Sequence, residues 1–191
     1  MKHYLSLVLL LLTACSTFKP VKDTSIRHVL DPLVPDRTLS SATPAMAINR
    51  PSIPSYLDRM QLITRTKGQL MMSKLDLWAE PLDAAIARVM ASNLSRLTSS
   101  TNIQPVENFA SLDYTTLLEM SIAQFEPDDA NQLIFQGTWK RQPVTGKETS
   151  NHFFRIVVPI PISSAPMSAR VTAMNQALEQ LARQIIQYPA N

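Results

Sequence analysis

Side chains that could act as nucleophiles or general bases are few in this chain of 191 residues. There is one cysteine, Cys15, and past the first few residues only two histidines, His28 and His152. A serine hydrolase needs a histidine that bridges its serine and an acid. His28 falls in a stretch rich in Pro, Ser and Thr, so such a site would have to use His152. We interpret His152, which begins a strand-like segment, as a surface or edge histidine.

The other common catalytic and cofactor-binding motifs do not occur in the sequence. It contains no G-x-S-x-G, P-loop, G-x-G-x-x-G or H-E-x-x-H pattern, and only 3 glycines are available for phosphate-binding loops. The acidic pair Asp128-Asp129 is typical of a turn. Asp76, Glu80 and Asp83 precede or open a helix, where the helix dipole stabilises them. We therefore expect a protein that is not an enzyme and has no cofactor or metal.

The residues before Cys15 have the layout of a secretory leader. Lys2 gives a basic start, residues 5–12 are almost continuously apolar, and Thr13 and Ala14 are small. The apolar run is shorter than the ~20 residues that a membrane-spanning helix needs. The pattern predicts a signal peptide over residues 1–14.

The position of Cys15 gives this leader a more specific meaning. Leu-Thr-Ala-Cys, residues 12–15, resembles the bacterial lipobox, in which the cysteine thiol takes up a diacylglyceryl group and becomes the acylated amino terminus. Several acyl chains on one residue give stable membrane attachment. Ser16 resembles the sorting signal for the outer membrane, so we expect a lipid anchor at Cys15 on its periplasmic face. The alternative is a chance cysteine near an ordinary cleavage site.

Composition divides the mature chain into a tether and one domain. Residues 15–44 hold the anchor followed by a Pro/Ser-rich stretch typical of an extended tether. Residues 26–30 are strand-like and could pair at a sheet edge. Residues 45–191 suffice for a single domain with its own core. The formal charge of +3 comes from scattered basic residues, which argues against nucleic-acid binding and leaves a weak preference for anionic headgroups.

Hydrophobic periodicity predicts an α+β fold. Two strands, residues 60–64 and 70–72, flank a hairpin turn at Lys67-Gly68. A helix begins at Pro81, three strands follow within residues 114–160, and a last helix begins at Pro166. We expect a mostly antiparallel sheet with two helices packed on one face. The most apolar strand, residues 153–160, is predicted to be central.

Methionines recur on or near the predicted apolar faces. Because methionine adapts to irregular apolar shapes, it can fill a core or contact acyl chains and partner helices. We favour core filling for each of Met60, Met71, Met72, Met90, Met120 and Met174.

Two segments resemble motifs of a known family. "RPSIPSYLDRMQLITR", residues 50–65, and "WAEPL", residues 78–82, resemble the PqiC-type family, the ABC-type transport auxiliary lipoprotein component. Ile53-Pro54, Tyr56-Leu57-Asp58-Arg59 and Gln61 match the first motif, and Met60 replaces its usual proline. "HVLDP", residues 28–32, resembles the first strand of the family without its tyrosines.

The resemblance implies a role in lipid transport between the inner and outer membranes. Its members act with MCE-domain proteins and a membrane permease, are not known as catalysts, and would form a homo-oligomer or ring. We expect a partner or self-assembly surface at Tyr56, Leu57, Asp58, Arg59 and Trp78, since aromatic side chains beside an Asp-Arg pair are typical of binding hot spots. These residues could instead lock the turn onto the helix.

Two other functions remain open from the sequence. One is a pilot or assembly-chaperone lipoprotein of another envelope machine, such as one for secretion or pilus assembly. The other is a lipid-binding carrier, which would need an enclosed apolar cavity for its lipid ligand. A neighbouring gene pair encoding an MCE protein and a permease would separate the transport function from both.

Overall fold

Eight strands and two helices build the protein in a computed structural model that describes residues 22–35, 38, 45–109, 113–146, 150–161 and 166–188. Cys15 and the predicted signal peptide lie outside these residues. The elements, in chain order, are β1 Ile26–His28, β2 Met46–Ile48, β3 Gln61–Thr66, β4 Gln69–Trp78, α1 Leu82–Thr98, β5 Ile103–Pro105, a 3₁₀ turn Val106–Asn108, β6 Thr116–Pro127, β7 Gln132–Pro143, β8 His152–Pro159 and α2 Met167–Gln187. The predicted α+β class is confirmed.

The larger sheet has five strands in the order β5-β2-β6-β7-β8. Strands β6, β7 and β8 form an antiparallel meander, whereas β2 runs parallel to both β5 and β6. Along β6, Leu118, Met120 and Ile122 are buried, while Ser121 between them is exposed. Such alternation is expected when one face of a sheet packs on the core and the other face is in solvent.

The prediction that residues 153–160 form a central strand is wrong, because β8 lies at the edge of this sheet. Phe154, Ile156 and Val158 face the core shared with α2 and are at most 3% exposed. On the other face Phe153 is 69% exposed. Strand β8 is rich in apolar residues because α2 covers one of its faces and because Phe153 is exposed on the other. In the described sheet it has a neighbouring strand on only one side.

The smaller sheet has three strands in the order β1-β4-β3. Strands β3 and β4 form the predicted hairpin, with Lys67 and Gly68 at φ values of 49° and 76° in its turn. Two consecutive positive φ angles give the turn twist that matches paired strands. Strand β1 adds in parallel along the other edge of β4, so the structure divides the strands between two sheets rather than one.

The chain after β1 packs across both helices. Leu30 and Val34 are 0% and 2% exposed, so the described part of the stretch treated as a tether contributes core side chains. The Arg88 guanidinium donates to the Leu30 carbonyl at 2.8 Å, and Arg96 donates to that of Val34 at 2.7 Å. The buried side-chain oxygen of Asn93 accepts from the Val34 N–H at 3.3 Å. Arg88, Asn93 and Arg96, which lie outside the apolar stripe of α1, thus hold the extended segment that contains Leu30 and Val34. Within the described residues, this segment pairs with no strand.

Both helices begin directly after a proline, Pro81 and Pro166, as the sequence predicted to within one residue. Helix α1 ends at Ser99, whose φ of 55° is left-handed and allows its N–H to bond back to the last turn. In the core, the rings of Phe125, Phe135 and Phe154 pack in sequence at 4.5 and 4.8 Å. Neither described helix has the length and apolar character needed to cross a membrane.

Candidate partner-binding site

The loop that carries the predicted site is fixed to β6 by its own backbone. The N–H groups of Asn49 and Ser52 donate to carbonyls of β6, both at 3.0 Å. Pro51 and Pro54 have no N–H and cannot continue a ladder. The chain therefore leaves the sheet and turns, with the Leu57 N–H bonded to the Pro54 carbonyl at 2.8 Å.

An ion pair whose carboxylate is buried lies beneath this loop. The Glu126 side chain at the end of β6 is 1% exposed, and Arg65 on β3 approaches it to 2.7 Å. The Tyr56 hydroxyl lies 3.1 Å from the same carboxylate, and the Phe125 N–H donates to it at 3.0 Å. The three side chains join the loop, the hairpin and the large sheet, and each carboxylate oxygen has a donor.

The electrostatics of this cluster keep the hydroxyl of Tyr56 protonated. Burial, followed by the negative charge of Glu126, raises the pKa of Tyr56 to about 12. The hydrogen bond from Arg65 to Glu126 raises the pKa of the guanidinium as well. The Arg65 guanidinium and the Tyr56 hydroxyl both donate to the carboxylate of Glu126.

The structure divides the five predicted site residues by exposure. Leu57 and Trp78 are core side chains, at 4% and 3% exposed. Tyr56 is half-buried over Glu126, whereas Asp58 and Arg59 are exposed. A partner can therefore reach Asp58, Arg59 and part of Tyr56, while Leu57 and Trp78 support the loop from within.

Three methionines next to this loop are not core residues. Met60, Met71 and Met72 are 39%, 54% and 53% exposed, so the expectation of core filling is wrong for them. It is correct for Met90, Met120 and Met174, which are at most 5% exposed. The pair Met71-Met72 in a strand was a usable signal, since successive strand residues point to opposite faces and both cannot enter one core.

The exposed methionines adjoin the predicted site. The Arg59 guanidinium lies 3.1 Å from the Met72 sulfur, and the Met60 carbonyl accepts from the Trp78 N–H at 2.6 Å. The exposed loop and the hairpin thus form a continuous surface that combines charge with apolar side chains.

The two histidines that the structure describes, His28 and His152, do not take part in a catalytic triad. His28 Nε2 lies 2.8 Å from one oxygen of Asp76, and the Ser73 hydroxyl donates to the other at 2.8 Å. The acid is therefore in the middle, whereas a catalytic triad needs the histidine there to take the proton from serine. His152 stacks on Trp139 at 4.5 Å. Among the residues described, no group of His, Cys, Asp and Glu could hold a metal ion.

Two concave regions show how much space the structure offers to a ligand. One is an apolar cavity of about 10 Å³ beneath the loop, lined by residues that include Leu57, Trp78 and Phe125. Its size corresponds to about one water molecule. The other is an open groove of about 210 Å³ on the outer face of the large sheet, between Glu119, Lys140 and Asn151. Neither is an enclosed apolar space for an acyl chain.

Comparison with known proteins gives both a family and a fold. A family model described as "ABC-type transport auxiliary lipoprotein component" matches residues 28–186. A crystal structure of an uncharacterized protein has a TM-score of 0.67 at 17% identity, over 85% of this chain and 96% of that one. Protein XCC0632 from Xanthomonas campestris, of the family model DUF330, has a TM-score of 0.69 at 15% identity, over 85% and 93% of the two chains.

A more distant likeness is to a PelC dodecamer from Paraburkholderia phytofirmans, with a TM-score of 0.43 at 9% identity over 78% of this chain and 94% of that chain. No curated protein matches the sequence.

Proposed function

Because the chain belongs to the ABC-type transport auxiliary lipoprotein component family, we propose that it is a non-catalytic subunit of an MCE-type system that moves lipids between the inner and outer membranes. The observation that carries the proposal is the family match over residues 28–186. That range includes the loop at Tyr56 and the Trp78 segment, which the structure joins through the core. A role in maintaining the cell envelope follows from such transport.

Cys15 supplies the membrane attachment in this proposal. The lipobox-like sequence before it and the lipoprotein character of the family support acylation of its thiol. Ser16 directs the anchored protein to the periplasmic face of the outer membrane. The domain then works at the membrane surface while its partners reach it from the inner membrane.

The exposed end of the loop is the proposed contact for an MCE-domain protein, which associates in turn with its membrane permease. Asp58 and Arg59 provide charge, and the exposed part of Tyr56 provides an aromatic contact, the composition typical of interface hot spots. The same surface is available for self-assembly into a homo-oligomer or ring. Leu57 and Trp78 act here by keeping the loop in place.

Reversing both charges, Asp58→Lys with Arg59→Glu, tests this surface. We expect the yield of the MCE-domain protein in a pull-down from detergent extract to fall at least about tenfold, which corresponds to about 1.4 kcal/mol of binding free energy. The melting temperature should stay unchanged because both side chains are exposed.

The control reverses a pair on the large sheet, Glu119→Lys with Lys140→Glu, whose side chains lie 3.0 Å apart. It should bind like the wild type. If the loop variant loses binding and melting temperature together, the loop is structural and is not the contact surface.

The two alternative functions give different results in the same pull-down. A pilot or assembly-chaperone lipoprotein would recover a component of a secretion or pilus machine in place of the MCE-domain protein. A lipid-binding carrier would retain lipid in a stoichiometric amount after purification. The cavity of about 10 Å³ under the loop is too small to hold an acyl chain.

A further inference from the structure

Exposed apolar side chains concentrate on the three-stranded sheet. Ile26 on β1 is 57% exposed, and Met71, Met72 and Leu75 on β4 are 54%, 53% and 51% exposed. We call these four residues the apolar patch. Single exposed side chains of this type are common at protein surfaces, whereas these four lie together on two neighbouring strands.

The local structure presents the patch on a fixed backbone. Ile26 pairs with Asp76, so these two side chains share one face of the sheet, and Leu75, one residue earlier, points to the other face. The Ser73 hydroxyl accepts from the N–H of Leu75 at 3.3 Å and of Asp76 at 2.9 Å. This local turn interrupts the pairing of β4 with β3. The hydrogen bond between Asp76 and His28 on β1 holds the turn in place.

Both sides of the hairpin take part in the patch. Met71 pairs with Thr64 and Met72 pairs with Ile63, so the two methionines point to opposite faces of the hairpin. Each is more than half exposed. Each face of the hairpin therefore exposes a methionine at this position. Such a hairpin can insert edge-first between the acyl chains of a bilayer.

Basic side chains accompany these apolar ones on or near the two strands. Lys22, Arg27 and Lys74 are exposed on or just before the same two strands, against one exposed acid, Asp23. Apolar residues with a basic rim match the interface of a bilayer, where acyl chains lie beneath anionic headgroups. We propose that the apolar patch docks into the surface of the bilayer that holds the lipid anchor, an inference that rests on the proposed acylation of Cys15.

The position of the anchor in the chain favours a membrane over a protein as the occupant. Cys15 precedes Ile26 by 11 residues, a span of at most about 40 Å when fully extended. Strand β1, the first described strand, contributes Ile26 to the patch itself. An acylated Cys15 therefore holds this sheet close to the bilayer, and such tethering makes even a weak contact effective.

Quenching by brominated lipid tests this docking directly. The full-length acylated protein carries Met71→Trp or Leu75→Trp and is reconstituted in phosphatidylethanolamine–phosphatidylglycerol vesicles with or without brominated acyl chains. The matched control is Phe153→Trp, an exposed position at 69% on the edge of the other sheet. Trp78 and Trp139 are buried and give the constant background.

We expect brominated chains to lower the emission of the tryptophans at 71 and 75 by about half, since they would lie at the headgroup–acyl boundary. The control at 153 should keep its emission. Thermal unfolding verifies that each variant is folded, and Ile26→Trp offers a third position on the patch if one of them is not.

Three results would overturn the proposal. Equal emission with and without bromine at positions 71 and 75 means that the patch does not enter the bilayer. Emission that changes with protein density and not with bromine means that a second copy covers it. Equal quenching at 153 means non-specific adsorption.

Intact mass of the same sample separates this proposal from the proposed function. An acylated Cys15 without quenching overturns the patch alone. An unmodified Cys15 overturns the anchor and with it the reason for placing the patch at the membrane.

Discussion

Glu126 is the residue that most clearly links the loop to the rest of the molecule. In the sequence it stands next to Pro127 and the turn-like pair Asp128-Asp129, where an acid is expected to be solvated. The structure buries it under Tyr56 and pairs it with Arg65. No local pattern indicates this, because the arginine and the tyrosine come from segments some sixty to seventy residues away in the chain.

Glu126→Gln should destabilise the protein by about 2 kcal/mol, because the neutral amide loses charge-assisted bonds in a buried position. Urea unfolding measures the loss. The control is Glu179→Gln, which removes an exposed pair with Arg183 on α2 and should cost at most about 0.5 kcal/mol. Equal effects of the two changes would show that the buried pair has no special weight.

Asp76 makes stability depend on pH in the acid range. Its hydrogen bond with His28, together with that from Ser73, lowers the pKa of the carboxyl below its usual range. The unfolded chain therefore binds more protons in this range, so the stabilisation is complete above the unfolded pKa and is lost as pH falls through the folded one.

Urea unfolding between about pH 5 and pH 2 should consequently show a shallower loss of stability for Asp76→Asn than for the wild type. Ser73→Ala should fall between them, since it keeps the carboxylate and His28. Identical slopes for all three proteins would refute the role of Asp76.

At the scale of the elements, the sequence predicted those whose side chains follow one clear period. Helices α1 and α2, the hairpin turn at Lys67-Gly68 and three strands within residues 114–160 are confirmed, whereas β4 extends six residues beyond the predicted 70–72. The position of β8 could not be predicted, because an edge strand under a helix and a central strand have similar composition. The division into two sheets depends on β1, whose three residues carry almost no local signal.

Gly137 on β7 tests the close packing within the large sheet. A Cβ there would lie 2.2 Å from the Ser121 carbonyl oxygen, next to the irregularity in β6. Gly137→Ala should therefore destabilise the protein by more than about 2 kcal/mol, since backbone must move.

Gly68→Ala in the hairpin turn is the comparison. Its Cβ would meet nothing within 4 Å, but its φ of +76° is unfavourable for alanine, so a loss of about 1 kcal/mol is expected. Thermal and urea unfolding compare the two. A smaller loss for Gly137→Ala than for Gly68→Ala would contradict the packing described for β6 and β7.

At the scale of the whole molecule, the loop with Asp58 and Arg59 and the apolar patch both adjoin the three-stranded sheet. The sequence indicated the loop through its resemblance to a family, and the leader through its three-part layout. It could not indicate that Leu57 and Trp78 face inward while Met71 and Met72 face outward, because this depends on how the hairpin lies against β6. The described residues of the tether stretch are likewise held by α1 through contacts distant in sequence.

The measurement that tests the central proposal most directly is the intact mass of the native protein purified from membranes, together with the identity of the proteins that accompany it. We predict the mass of residues 15–191 plus acyl chains and an MCE-domain protein in the same detergent complex. An unmodified cysteine, or an acylated protein that reproducibly copurifies with a different envelope machine, would contradict the account.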